Sequence, residues 1–267
     1  MNVAMDAMNE DYLYPKLHAI WSRSFHGERL EQLRKSGGPD ALRQALKGMG
    51  FEFTDSADLE RQLTEIMYRQ LGHIVPSLST ELLNFYYHQL LRSYLNNVKM
   101  VLREWAIGDE REQVDALLTR VPGYPQIERD AHGQFRLVTT ALPLAWQQAI
   151  AEIAAEARNS RDTFVAESRL DCFFWKQYLT CARRTEESVP EIVAVVGDEA
   201  DLRNVMALLR NLRLYRLPAA QIRGVLVAGG RRLGAPTLDL LSSQATEEAL
   251  LAKIPSPYAE LLRDAFA

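Results

Sequence analysis

The sequence is poor in the residues that interrupt regular structure. Of 267 residues only 14 are glycine and 11 are proline, which leaves few turns and favours long regular elements. Cysteine is almost missing. Cys172 and Cys181 are too few for a disulfide framework, and their nine-residue spacing fits no metal knuckle. They read as buried, reduced thiols of a cytosolic protein. No apolar run approaches the ~20 residues that cross a bilayer. The opening MNVAMDAMNEDY has neither the basic start nor the apolar block of a signal peptide. The expectation is a soluble chain, or one that sits on a membrane through its partners.

Motifs that carry chemistry are missing as well. There is no G-x-S-x-G, H-E-x-x-H or C-x-x-C. His18, His26, His73, His88 and His132 are scattered, with no acid at zinc-ligand spacing. Val225 to Gly234 looks superficially like a phosphate loop. It lacks the Gly-Lys-Ser/Thr ending that holds phosphate and magnesium, and G-x-G-x-x-G spacing is absent. No catalytic residue, cofactor or metal is expected, and a net charge of -4 argues against a nucleic-acid binder.

What is present is helix. Apolar residues recur at three- and four-residue spacing through most of the chain. The spacing predicts helices over Tyr12–His26, Glu28–Lys35, the segment through Leu42 and Leu46, Ala57–Ile74, Ser79–Ala106, Glu110–Val121, Pro143–Arg158, Thr163–Arg184 and Asp198–Tyr215, then shorter ones to the end. Pro39 suits a first helical position. Gly229-Gly230 reads as the stop of a helix begun at Pro218. A small hairpin is expected around Asp130-Ala131-His132-Gly133. The Ser79–Ala106 segment is apolar on two faces and should be packed on two sides.

The helices repeat. Leu95-Asn96-Asn97-Val98-Lys99-Met100-Val101-Leu102-Arg103 returns as Leu202-Arg203-Asn204-Val205-Met206-Ala207-Leu208-Leu209-Arg210, with five of nine positions identical. The same offset of 107 lays Glu60, Leu63, Tyr68 and Gln70 on Glu167, Leu170, Trp175 and Gln177. One register joining separated matches marks an internal duplication. The expected division is 1–125, 126–243 and an incomplete third unit over 244–267. Asparagine in mid-helix, at the same register of both copies, calls for a cause. Two readings are open for Asn97 and Asn204: a buried amide capping a neighbouring segment, or a clasp with Glu60 and Glu167 respectively. Arg103 and Arg210 close the repeated motif and could pair with a carboxylate or cap the C-terminal carbonyls of a nearby helix.

Charge is uneven. From Leu202 to Leu238 there are seven arginines (Arg203, Arg210, Arg213, Arg216, Arg223, Arg231 and Arg232) and no acid. Such a run is either a solvated face or a docking surface for an acidic partner.

Together these residues resemble the C-type subunit family of the V-type and archaeal A-type rotary ATPases, homologous to the eukaryotic d-type subunit. The likeness rests on Glu167-x-x-Leu170-Asp171-x-Phe173-Phe174, Asn204-Val205 and Leu208-Leu209-Arg210, with Glu60, Leu63, Asn97, Val98, Leu102 and Arg103 in the first copy. Gly229-Gly230, Leu233, Glu247-Glu248 and Pro257-Tyr258 follow in order. Thr64 departs from the family's aspartate. The resemblance implies an all-α, funnel-like fold of repeated bundles. It implies a non-catalytic central-stalk socket between the shaft subunits and the membrane proteolipid ring, transmitting torque. The seven arginines would then face acidic groups of ring or shaft. The alternative is a helical-repeat adaptor with another partner.

Overall fold

The computed structural model describes residues 15–20, 22, 27–35, 37–107, 113–159, 163–187 and 189–266. They form an all-α protein. Two short helices, α1 (Glu28–Arg34) and α2 (Pro39–Gly48), precede α3 (Ser56–Gly72), a single 3-10 turn at Val75–Ser77, and the 28-residue α4 (Thr80–Ile107). At 1.5 Å per residue α4 is ~42 Å long. A short α5 (Gln113–Leu117) leads to a hairpin of β1 (Glu128–Arg129) and β2 (Phe135–Arg136). Then come α6 (Leu144–Asn159), α7 (Phe164–Arg184) and α8 (Pro190–Arg210), which runs into a π-helical turn over Asn211–Tyr215. Four short helices finish the chain: α9 (Ala219–Gly224), α10 (Ala235–Ser242), α11 (Glu247–Leu251) and α12 (Tyr258–Phe266). Of the expected Tyr12–His26 helix, residues 15–20 and 22 are helical and the rest lies outside the described residues. Of the expected Glu110–Val121 helix, Gln113–Leu117 is helical, residues 110–112 lie outside the described residues, and residues 118–121 are not helical.

Local chemistry sets several boundaries. Asp55 caps α3 by accepting from the Asp58 amide at 2.8 Å, and Pro39 stands at the first position of α2. Thr246 caps α11 through the Ala249 amide. The hairpin forms where the turn residues stand: Asp130 Oδ1 accepts from the amides of His132 and Gln134, with Gly133 at φ +76.

Two expectations fail. The second spine does not begin at Asp198; α8 is continuous from Pro190 through Gly197. A mid-helix glycine costs about 1 kcal/mol, and here the missing side chain makes room. A Cβ on Gly197 would lie 3.1 Å from the backbone nitrogen of Arg231. Gly229-Gly230 does not stop a helix either. α9 ends at Gly224, and the two glycines lie in the loop that crosses α8.

Shifting α3, α4 and α5 by 107 residues places them over α7, α8 with its π-turn, and α9. The packing is not so regular. α7 lies against α4, α6 and α8, while α3 makes its main contact with the short α5. The larger core joins Leu90, Tyr94, Val98 and Leu102 of α4 to Trp146 and Ile150 of α6 and to Leu170, Phe174 and Tyr178 of α7. A second core joins Val205 and Leu209 of α8 to Leu233 in a loop and to Ile222, Leu238, Leu250 and Tyr258 from the helices that follow. So α4 is packed on two sides, as its two apolar faces require, and α7 is the helix enclosed between α4 and α8.

Candidate interaction site

α4 and α8 line opposite walls of a cleft of about 380 Å³ whose floor is α7. Arg92, Leu95, Asn96 and Lys99 come from one wall, and Glu199, Leu202, Arg203 and Met206 from the other. Each residue of the first set is related to one of the second by 107 positions, so the two spines present corresponding faces to one space. Asp171 on the floor pairs with Lys99 and lies 4.0 Å from Arg203. Arg92 reaches across to Glu199 at 3.1 Å and lies over the ring of Trp175. Above the cleft Arg103 grips Glu167 with two hydrogen bonds of 2.6 Å, and Thr163 donates to the same carboxylate. A bidentate charged pair fixes direction as well as distance. It holds the end of α4 to the start of α7.

The asparagines have the same role in both spines. Asn97 Nδ2 donates to the carbonyl of Thr119 at 2.6 Å, and its Oδ1 accepts from the Thr119 amide at 3.1 Å. Asn204 does the same with Val227, at 2.7 and 2.8 Å. Each amide stands in for a strand partner and pins the loop that follows its spine. The reading as a buried amide capping a neighbouring segment therefore holds, and the clasp with glutamate does not. Glu167 is engaged by Arg103, and the exposed Glu60 makes no contact with Asn97. Clasp geometry required each glutamate to face its own unit's spine. Glu167 faces the spine of the unit before it.

The structure divides the seven arginines. Arg203 is inside: its side chain donates to the carbonyls of Val225 and Ser168, and burial lowers its pKa from the ordinary guanidinium value. Arg213 holds Glu247 with bonds of 2.8 and 2.6 Å, Arg231 holds Asp198 at 2.8 Å, and Arg223 pairs with Asp239. All three acids lie outside the arginine-rich stretch or at its edge, and folding brings them back to it. Arg210, Arg216 and Arg232 are exposed and, among the described residues, have no ion pair. Arg216 is also the one described non-glycine residue with positive φ, at 53°, where it ends the π-turn by donating its amide to Asn211.

Sequence reasoning missed one centre. Asp201 is fully buried in mid-α8 and accepts from the amides of Arg232 at 2.6 Å and Leu233 at 3.2 Å. Tyr258, at the start of α12, sends its hydroxyl to Asp201 at 3.0 Å and Asp198 at 2.5 Å. Gly230 lies directly over Asp201; a Cβ there would sit 1.8 Å from Oδ1. Burial pushes the Asp201 carboxyl above the usual range, against the pull of the Arg232 amide, Tyr258 and the Leu233 amide. Asp198 is desolvated too, but its bonds to Tyr258 and Arg231 hold it below that range. The available signal was Gly197, Asp201 and Asn204 at four- and three-residue spacing: one helix face, small or polar, turned toward a crossing backbone.

This cluster joins α8 to the loop that crosses it and to the start of α12. Among the described residues there is no cluster of His, Cys, Asp and Glu suited to a metal, and no helix long and apolar enough to cross a membrane. The described residues form a helical scaffold. The family model for the ATP synthase (C/AC39) subunit matches residues 13–267, and the chain belongs to that family. It is thus of the C- and d-type of V/A-type rotary ATPase components, accessory and not catalytic, which associate with the other subunits of the complex. No individual curated protein matches the chain.

Proposed function

We propose that this chain is the rotor socket of a V- or A-type rotary ATPase, seated on the cytoplasmic face of the membrane proteolipid ring and receiving the central shaft. The observation that carries the reading is the enclosure of α7 between α4 and α8. A part that hands on torque must not yield. Close-packed interiors resist deformation, and Arg103–Glu167, Lys99–Asp171 and Arg92–Glu199 bind the three helices across their common core. Ion flow turns the ring, and the socket passes that rotation to the shaft and the nucleotide-binding head. No bond is made or broken in it. Arg216 and Arg232, exposed and without an intramolecular carboxylate among the described residues, are assigned to acidic groups of ring loops or shaft.

The test is removal and return. A complex stripped of this chain should keep ATP hydrolysis in its head and lose ATP-driven ion pumping, and adding the chain back should restore pumping. Pumping that survives removal overturns the proposal. The variant R216E/R232E should rebind about tenfold more weakly, with the defect larger at low salt. Unchanged rebinding removes the arginine assignment alone.

A further inference from the structure

The cleft over α7 is lined by unequal numbers of cations and anions. Arg92, Lys99 and Arg203 face it against Asp171 and Glu199, which leaves one positive charge in excess. The half-exposed Arg92 and Glu199 balance each other. Lys99 and Arg203 must share one acid, Asp171, and each of these two cationic side chains is only 15% exposed. The excess charge therefore sits where water screens it least.

Hydrogen bonding is unequal in the same sense. Arg203 spends its terminal nitrogens on the carbonyls of Val225 and Ser168, which are dipoles and not charges. Its Nε is buried with no hydrogen-bond partner among the described residues. Asp171 lies 4.0 Å from Arg203 and is held more closely by Lys99. An ammonium carries three N–H groups, and the ion pair of Lys99 is with Asp171. Asn96 stands three positions before Lys99 on the same face of α4, exposed and with no side-chain partner among the described residues. A buried donor without an acceptor is destabilising, and an acceptor brought to it removes that cost. Beside these donors Leu95, Leu202 and Met206 supply apolar surface. A cleft of about 380 Å³ that joins apolar walls to a few convergent polar groups has the size and character of a small-molecule site.

We infer that this cleft binds a small monocarboxylate with a compact apolar body, the carboxylate set by Lys99, Arg203 and Asn96 and the body against Leu95, Leu202 and Met206. One excess positive charge matches one carboxylate. Asp171 stands beside both cations and repels further negative charge, which selects against a dianion such as a phosphate monoester. The inference needs nothing from the rotor reading and is tested on the isolated chain.

The probe is phenylacetate, titrated into the full chain while the indole N–H resonance of Trp175 in the cleft floor is followed. It should bind with a Kd on the order of 1 mM. Phenylacetamide, nearly the same shape without the charge, should bind about tenfold more weakly, and phenyl phosphate no more tightly than phenylacetate. Lys99→Met installs the residue that the chain itself carries 107 positions on. It leaves Arg203 to Asp171, cancels the excess charge and should weaken phenylacetate about tenfold. Met206→Trp fills the cleft without changing charge, at a position 42% exposed, and should weaken acid and amide alike. Should Lys99→Met fail to fold, the amide comparison and Met206→Trp decide the matter by themselves. Acid and amide binding equally, wild-type affinity in the folded variants, or no binding up to roughly 50 mM overturns the inference.

Discussion

The two spine pairs stand 107 positions apart in the sequence and lie in different surroundings. α7 is enclosed, and its Leu170 and Phe174 are lost from solvent; α3 carries the corresponding Leu63 and Met67 at its surface. Yet the clamps that follow each spine are alike, Asn97 on Thr119 and Asn204 on Val227. Features fixed within a unit were kept in both copies. Features that depend on a neighbouring unit differ, because only the second copy has a spine on each side of its long helix. The unit's internal bonds are therefore a property of the motif, while burial is a property of position in the series.

That contrast can be broken or sharpened by mutation. The largest effect is expected at Gly230, where any side chain collides with the buried Asp201. Gly230→Ala should cost about 3 kcal/mol or more in chemical denaturation. Gly133→Ala in the hairpin, where a Cβ meets nothing and only φ +76 is strained, should cost about 1 kcal/mol. Leu170→Ala comes next, at about 3 kcal/mol for a fully buried leucine, and Leu63→Ala should cost about 1 kcal/mol or less. Equal losses would mean that α3 is covered in solution.

The asparagines should behave alike. Asn97→Ala and Asn204→Ala each orphan a backbone amide and carbonyl, and each should cost roughly 2 kcal/mol. A loss at one and not the other would refute the equivalence of the clamps. The smallest effects concern pH. Asp198, held below the usual carboxylate range, contributes stability that is complete above its unfolded pKa and is lost as pH falls through its folded pKa. Asp201, raised by burial, contributes in the opposite sense: its share is complete below its unfolded pKa and is lost as pH rises through its folded one. Tyr258→Phe removes a bond that lowers both pKa values. In thermal melts against pH, that variant should lose less stability than the wild type between the unfolded pKa of Asp198 and its folded one, because the folded pKa has moved up toward the unfolded one. An acid limb as deep as that of the wild type would show that Tyr258 does not hold Asp198. The first half has no such coupled pair among its described residues: Asp58, lowered chiefly by the Thr54 amide and then by Arg61, lies at the surface.

Much of this was readable from residues. Pro39 at the first position of α2, the hairpin at Asp130–Gly133 and the two-faced α4 all follow from bonds or spacings within a few positions. The matching asparagines signalled a shared role, and the structure supplied the partner. Three things were not readable. Gly197 looked like a break, because the Arg231 backbone that fills its empty side lies far along the chain. Gly229-Gly230 looked like a helix stop, because nothing nearby reveals that Asp201 waits beneath. The arginine-rich stretch looked unbalanced, because Glu247, Asp239 and Asp198 lie outside it or at its end and return only on folding.

By itself, the order of residues determined an all-helical chain, the motif that recurs 107 positions on and the family. These depend on short-range hydrogen bonding and on the period of apolar residues, both local properties. Tertiary structure alone decided that Glu167 faces the preceding spine, that Leu63 stays exposed while Leu170 is buried, and that three of seven arginines remain without an acid among the described residues. Those outcomes depend on which surfaces meet in space, and a helix carries no mark of the neighbour that will cover it.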